Sequence, residues 1–125
     1  MEPTRFSVFF STKWNRLRIN RASILQLGYP KRIRLLFNLE KKELVLQPCN
    51  ENEPLSYKMP KDLGVTHRSI ELRSAALSDL IIDTMGWERD VHYIAYGRYM
   101  TKDNILVFSL NDAQPIAADD IVEES

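Results

Sequence analysis

A cluster of basic and amide side chains near the start of the chain has residue types and a spacing suited to binding a polyanion. In an extended strand, Arg16, Arg18 and Asn20 would point to one face, because successive side chains alternate. A guanidinium group can make two parallel hydrogen bonds with a phosphate or with guanine, and an amide can pair similarly with adenine. The sequence therefore predicts a DNA-binding face of five residues: Lys13, Arg16, Arg18, Asn20 and Arg21.

The distribution of charge leaves other interpretations of this face open. The chain has 17 basic and 17 acidic residues. Up to Asn50 it has ten basic residues against three acidic ones, and from Glu51 onward it has seven against fourteen. Such asymmetry is typical of a polyanion-binding face, but it also fits ion pairs between two halves of one fold, or a solvated strand face. An alternative function is that of a protein-binding or inhibitory module whose acidic second half and tail contact a partner.

The sequence has no recognisable pattern for catalysis or for holding a metal or cofactor. His67 and His92 are far apart, without the spacing of a zinc motif, and the four glycines are scattered rather than gathered in a phosphate-binding loop. Cys49 is the only cysteine, so no internal disulfide can form, as is usual in a reducing compartment. We therefore expect a protein that is not an enzyme, with no metal site and no cofactor.

Hydrophobic spacing predicts two helices. The longer one begins after Ser74, which can cap its N terminus, and ends at Gly86, where a left-handed backbone is tolerated. A shorter helix follows Asn20 and ends at Gly28. The apolar stripe expected on the longer helix comprises Leu77, Leu80, Ile81 and Met85.

Strands with alternating apolar residues surround both helices, and the order of elements repeats. Each unit has a strand, a loop, a second strand, a helix and a hairpin. The fold class predicted is α+β, a small β-barrel-like domain built from two such repeats. We expect a single domain over residues 1–112, with repeats at 5–48 and 55–110, followed by a flexible acidic tail at 113–125.

Residues 12–48, TKWNRLRINRASILQLGYPKRIRLLFNLEKKELVLQP, resemble the DNA-binding domain of AbrB/SpoVT-type bacterial transition-state regulators, a swapped-hairpin or cradle-loop barrel family. Arg16 stands where an arginine opens the family's short strand, and Leu27-Gly28 stands where its helix ends. The strands 33–37 and 44–46 correspond to its hairpin. The chain departs from the family at Asn15, where glycine is usual, and at Asn20, where proline is usual.

The resemblance implies a transcriptional regulator that binds double-stranded DNA through the arginines around the first loop and second strand. Members of the family pair two identical chains that exchange hairpins, so two fused halves would make an AbrB-like pseudo-dimer from one polypeptide. In the second half, Glu71 would repel phosphate at the position of the basic face. Recognition of a palindromic site would therefore need two chains, which makes a homodimer an expected partner arrangement.

The location expected for the protein is cytoplasmic. No apolar run approaches the roughly 20 residues needed to cross a bilayer. The segment Met1–Ser11 also lacks the basic and then apolar order of a signal peptide. We therefore predict no association with a membrane.

Overall fold

The computed structural model describes residues 5–49, 53, 56–60 and 69–116, and most of them lie in strands. The elements, in chain order, are β1 (Phe6–Ser11), β2 (Arg16–Asn20), α1 (Arg21–Gln26), β3 (Arg32–Asn38), β4 (Glu43–Cys49), β5 (Tyr57–Lys58), β6 (Ser69–Arg73), α2 (Ala75–Met85), β7 (His92–Met100), β8 (Ile105–Ser109), a short 3-10 helix (Leu110–Asp112) and β9 (Gln114–Ile116).

The strands form one sheet in the order β5-β3-β4-β8-β7-β1-β2-β6, with β9 added beside β7. Every neighbouring pair whose register is defined is antiparallel. The sheet curls into a nearly closed, barrel-like shape. The α+β class and the small barrel-like sheet expected from the sequence are therefore confirmed.

One face of the sheet forms the hydrophobic core. Successive side chains of a strand point to opposite faces, so one face of each strand supplies the apolar side chains. Removing each large aliphatic side chain from water stabilises the fold by about 1.5–3 kcal/mol. The largest fully buried side chains are Val8, Leu17, Ile19, Ile24, Ile33, Leu44, Leu46, Ile81, Leu106, Phe108 and Leu110.

Both helices begin and end near the residues that the sequence indicated. Asn20 is the N-cap of α1, and its side chain accepts a hydrogen bond from the backbone of Ser23. Ser74 caps α2 in the same way, through the backbone N–H of Leu77. Gly86 ends α2 with φ of 66°, the left-handed conformation that favours glycine.

The predicted apolar stripe of α2 was wrong at one position. Leu80 is exposed, whereas Ile81 and Ile82 are buried together with Ser78. Successive residues turn by about 100° around a helix, so a face centred between Ser78 and Ile82 leaves Leu80 on the opposite side of the helix. Neither helix in the described ranges has the length and apolar character to span a membrane.

Three sequence predictions fall at the edges of the described residues. The two strands expected before the helix of the second repeat are observed at Tyr57–Lys58 and Ser69–Arg73. The tail expected at 113–125 begins in the sheet, because Gln114–Ile116 form β9 against β7. Residues 117–125 lie outside the described part of the chain.

Candidate nucleic-acid interface

The turn between β1 and β2 holds Lys13 and Trp14, and it is fixed at both ends. The hydroxyl Oγ1 of Thr12 donates a hydrogen bond of 2.8 Å to the carbonyl oxygen of Val91, at the start of β7. At the other end, the backbone N–H of Ser74 donates to the carbonyl oxygen of Asn15 over 3.4 Å. The turn is therefore attached to two other parts of the fold.

The outer face of β2 presents Arg16 and Arg18. Leu17 and Ile19, which alternate with them, are fully buried. The two arginines keep 34% and 37% of their side-chain surface exposed. The direction that the sequence predicted for these side chains is therefore confirmed.

Both arginines converge on the carboxylate of Glu71 in β6. The atom Oε1 of Glu71 lies 3.6 Å from a guanidinium nitrogen of Arg16 and 3.6 Å from one of Arg18. These distances are too long for hydrogen bonds, and exposed pairs of this kind typically contribute 0–1 kcal/mol. Ion pairs between the two halves, one of the alternatives that the sequence allowed, are thus present. The single carboxylate of Glu71 is shared by the two arginines.

Asn20 uses its amide inside the fold. Its Oδ1 accepts hydrogen bonds from the backbone N–H groups of Ser7 and Ser23, each over 3.2 Å, and its Nδ2 donates to the carbonyl oxygen of Arg5 over 2.7 Å. The paired donor and acceptor needed to recognise adenine are therefore occupied. In this arrangement Asn20 caps α1 and joins it to β1.

Of the other two predicted site residues, Lys13 lies beside the outer face of β2 and Arg21 does not. Lys13 is exposed in the β1–β2 turn, and its Nζ lies 5.2 Å from the centroid of the Trp14 ring. Arg21 is the first residue of α1 and is half-buried, so it has left the strand that presents Arg16 and Arg18. The structure therefore gathers Lys13, Arg16 and Arg18 around one turn.

An aromatic stack adjoins these cations, and sequence reasoning missed it. The rings of Trp14 and His92 have centroids 6.2 Å apart at 28°, and those of His92 and Phe9 have centroids 5.3 Å apart at 23°. The guanidinium carbon of Arg18 lies 5.9 Å from the Phe9 centroid. Alternation in β1 places Phe9 opposite to buried Val8 and Phe10, and this was the available signal.

Arg73 is a second residue that the predicted site omitted. It is exposed at the end of β6 and lies opposite Arg16 in the strand register. In the sequence, the acidic Glu71 two residues earlier makes this strand a poor candidate for binding phosphate. Its register with β2, which the sequence does not specify, brings Arg73 to the basic side chains of the first half.

The other basic pair, Arg32 and Arg34, contacts the segment that links the halves. Nη1 of Arg32 donates to both the carbonyl and the hydroxyl oxygen of Ser56, over 3.3 and 3.1 Å. Nε of Arg34 lies 4.0 Å from Glu53. These arginines hold the link against β3.

The cavity next to Arg16 is too small for a substrate. It has a volume of about 10 Å³ and is bounded by Ser11, Ser78 and Trp87 among other residues, which leaves room for about one water molecule. The described ranges contain no group of three or more His, Cys, Asp or Glu side chains placed to hold a metal ion. Within the described ranges, the candidate site that we consider further is the outer face of β2, with its arginines and the adjoining aromatic stack.

Comparison of the chain with known protein families, with curated proteins and with solved structures gave no match.

Proposed function

We propose that the protein is a DNA-binding transcriptional regulator whose contact surface is the outer face of β2, with Lys13, Arg16 and Arg18 as its principal residues. The observation that carries the proposal is the convergence of Arg16 and Arg18 on one oxygen of Glu71, 3.6 Å from each. A phosphate oxygen also carries negative charge, and arginine binds it with the same planar fork. The spacing of the two guanidinium groups therefore suits a backbone phosphate.

The local charge also favours a polyanion. Four cationic residues lie in or beside this face, namely Lys13, Arg16, Arg18 and Arg73, while Glu71 is the carboxylate that contacts the two central arginines. The chain as a whole has zero formal net charge. A local excess of positive charge on a neutral protein directs an anion to one surface.

We also propose that the barrel is a fused pseudo-dimer of the AbrB type. Four strand pairings support it, because they are symmetric with respect to the two halves. When each strand is replaced by the corresponding strand of the other half, the same set of four pairings results. The first strand of each half pairs with the third strand of the other half, as β1 with β7 and β5 with β3. The second strands pair with each other, β2 with β6, and so do the fourth strands, β4 with β8.

The register of the fourth strands and the conformation of the two hairpin turns also support a pseudo-dimer. Between the fourth strands, Val45 lies opposite Val107, the same residue type at corresponding places in the two hairpins. The two hairpin turns each end in a residue with positive φ, Lys42 at 55° and Asn104 at 51°. Such agreement supports two related hairpins. The counterpart of the β1–β2 pairing would be β5 with β6, and among the described residues these strands are instead the two ends of the sheet order.

At the middle position of the β2–β6 pair, only the first half supplies an arginine. Arg18 lies opposite Glu71, whereas Arg16 lies opposite Arg73. Glu71 offsets part of the positive charge of these three arginines, which together form one basic face in the described part of the chain. A palindromic DNA site would therefore be bound by two copies of the protein, each contributing one face.

The test is fluorescence anisotropy with a labelled duplex of random sequence, at two salt concentrations. Three phosphate contacts predict an affinity that falls about 40-fold between 50 and 200 mM salt. The Arg16→Glu/Arg18→Glu variant should lose this binding. The matched control is Lys41→Glu/Lys102→Glu, which makes the same change of charge at exposed residues of the two hairpin turns. No binding of the unaltered protein even at low salt, or equal losses in both variants, would refute the proposal.

A further inference from the structure

We infer that the basic face binds a nucleic-acid strand with unpaired bases, and that Trp14 is the residue on which a base stacks. This inference rests on the proposed function, because the same arginines would hold the backbone of the strand. It goes further by adding a single strand to the duplex as a ligand of this face and by naming the residue that distinguishes the two. Three features of the turn between β1 and β2 support it.

The first feature is the exposure of Trp14. The residue is 54% exposed, although tryptophan is among the most hydrophobic side chains and is buried on average in folded proteins. The other tryptophan, Trp87, is stacked on Tyr93 with centroids 4.2 Å apart at 9° and packs against the core. The two tryptophans of the chain therefore have different surroundings, and Trp14 is the one exposed to solvent.

The second feature is the support beneath the ring. His92 is only 6% exposed and lies between Trp14 and Phe9, so that three rings form one continuous stack. The turn that carries Trp14 is tied by the 2.8 Å hydrogen bond from Thr12 to Val91. A ring held in this way loses little conformational freedom when a further ring is added, and this favours binding of a base.

The third feature is the position of the cations around the stack. The Nζ of Lys13 and the guanidinium carbon of Arg16 lie over the Trp14 ring, 5.2 and 5.8 Å from its centroid, and the guanidinium carbon of Arg18 lies over the Phe9 ring, 5.9 Å from its centroid. A base that stacks on Trp14 would displace these flexible side chains from the ring. A strand whose base lies against Trp14 would thus have its phosphates beside positive charge. Proteins that bind single strands combine these two elements, a positive surface that follows the backbone and aromatic rings that stack on bases.

A duplex cannot use such a ring without being opened. Its bases are stacked on one another and paired, and unstacking one of them costs free energy that a free single strand does not require. The arginines would contact phosphates of either form. The contribution of Trp14 should therefore be specific to the single strand, and this separates the inference from the proposal on which it rests.

The test compares labelled oligothymidylate with the same oligonucleotide in a duplex with oligoadenylate, using anisotropy at one salt concentration. A stacked base contributes about 1–3 kcal/mol, which corresponds to roughly 5- to 140-fold in affinity. Trp14→Ala should therefore weaken binding of oligothymidylate by such a factor and leave binding of the duplex unchanged. Trp14→Phe keeps a ring and should retain much of the affinity for the single strand. Circular dichroism of both variants checks that the fold is intact.

Tryptophan fluorescence gives an independent measurement. Oligothymidylate should quench the emission of the unaltered protein, and in Trp14→Phe, where Trp87 is the remaining tryptophan, the quenching should be absent. If both forms of DNA bind equally and Trp14→Ala changes neither, the inference is wrong while the proposed DNA binding stands. If neither form binds, the proposed function fails and the inference fails with it.

Discussion

Arg18 and Glu71 lie directly opposite each other on β2 and β6, with Nη2 of Arg18 3.6 Å from Oε1 of Glu71. The same carboxylate oxygen also faces Arg16. Glu71 thus occupies the place between two guanidinium groups where a phosphate oxygen would lie in the proposed complex. The carboxylate would compete with the ligand, and this competition can be measured.

Replacing Glu71 by glutamine should strengthen DNA binding. The substitution keeps the shape of the side chain and removes the charge that occupies Arg16 and Arg18. Because exposed ion pairs are typically worth about 0.2–1 kcal/mol, the gain in affinity should be about 1.4- to 5-fold. Anisotropy at low salt measures it. Asp103→Asn, a change of equal charge at an exposed residue of the β7–β8 turn, serves as the control. Weaker binding by Glu71→Gln would contradict the assignment of this face.

Asn20→Ala should destabilise the protein by about 1–2 kcal/mol. The alanine variant loses the cap of α1 and leaves the backbone N–H groups of Ser7 and Ser23 without their acceptor. Urea unfolding measures the change. Asn111→Ala, at an exposed residue of the short 3-10 helix, should change the free energy of unfolding by less than about 0.5 kcal/mol. Equal stability of the two variants would show that the hydrogen bonds of Asn20 contribute little.

Gly97→Ala should be destabilising because Phe108 lies against the glycine. A Cβ atom at position 97 would lie 2.6 Å from Cε1 of Phe108, whose ring is fully buried on the neighbouring strand. Overpacking of this kind costs about 1–3 kcal/mol. Thermal or urea unfolding measures it. In a double-mutant cycle, Phe108→Leu combined with Gly97→Ala should cost less than the sum of the single changes. Strict additivity would mean that the clash is relieved elsewhere.

The helix ends and the exposed strand face were predictable because they depend on short-range chemistry. Ser74 and Gly86 act through one hydrogen bond and one backbone conformation, both of which are local to the residue. Arg16 and Arg18 alternate with buried residues within a single strand, so their direction follows from the pleat. The interactions that determine these features are between residues close to one another in the sequence.

Contacts between distant strands were not predictable, because alternation indicates a face but not a partner. The contact between Glu71 and Arg18 depends on the register of β2 with β6, which residue types alone do not determine. The stack of Trp14 on His92 likewise requires β1 and β7 to lie side by side, with Ser11 opposite His92. The charge asymmetry indicated that such contacts between halves were one alternative, but it gave no residue pairs.

The exchange of partners between the halves has a consequence for synthesis on the ribosome. Thr12, at the end of β1, bonds to a residue 79 positions later in the chain, and β1 lies between β2 and β7 in the sheet. At about 5–20 residues per second, roughly 4–16 s separate the synthesis of these two residues. During that time one edge of β1 is open, and open edges pair readily with other chains. The nascent first half is therefore the form most exposed to association with a neighbouring copy, and a chaperone that binds apolar strands would act in this interval.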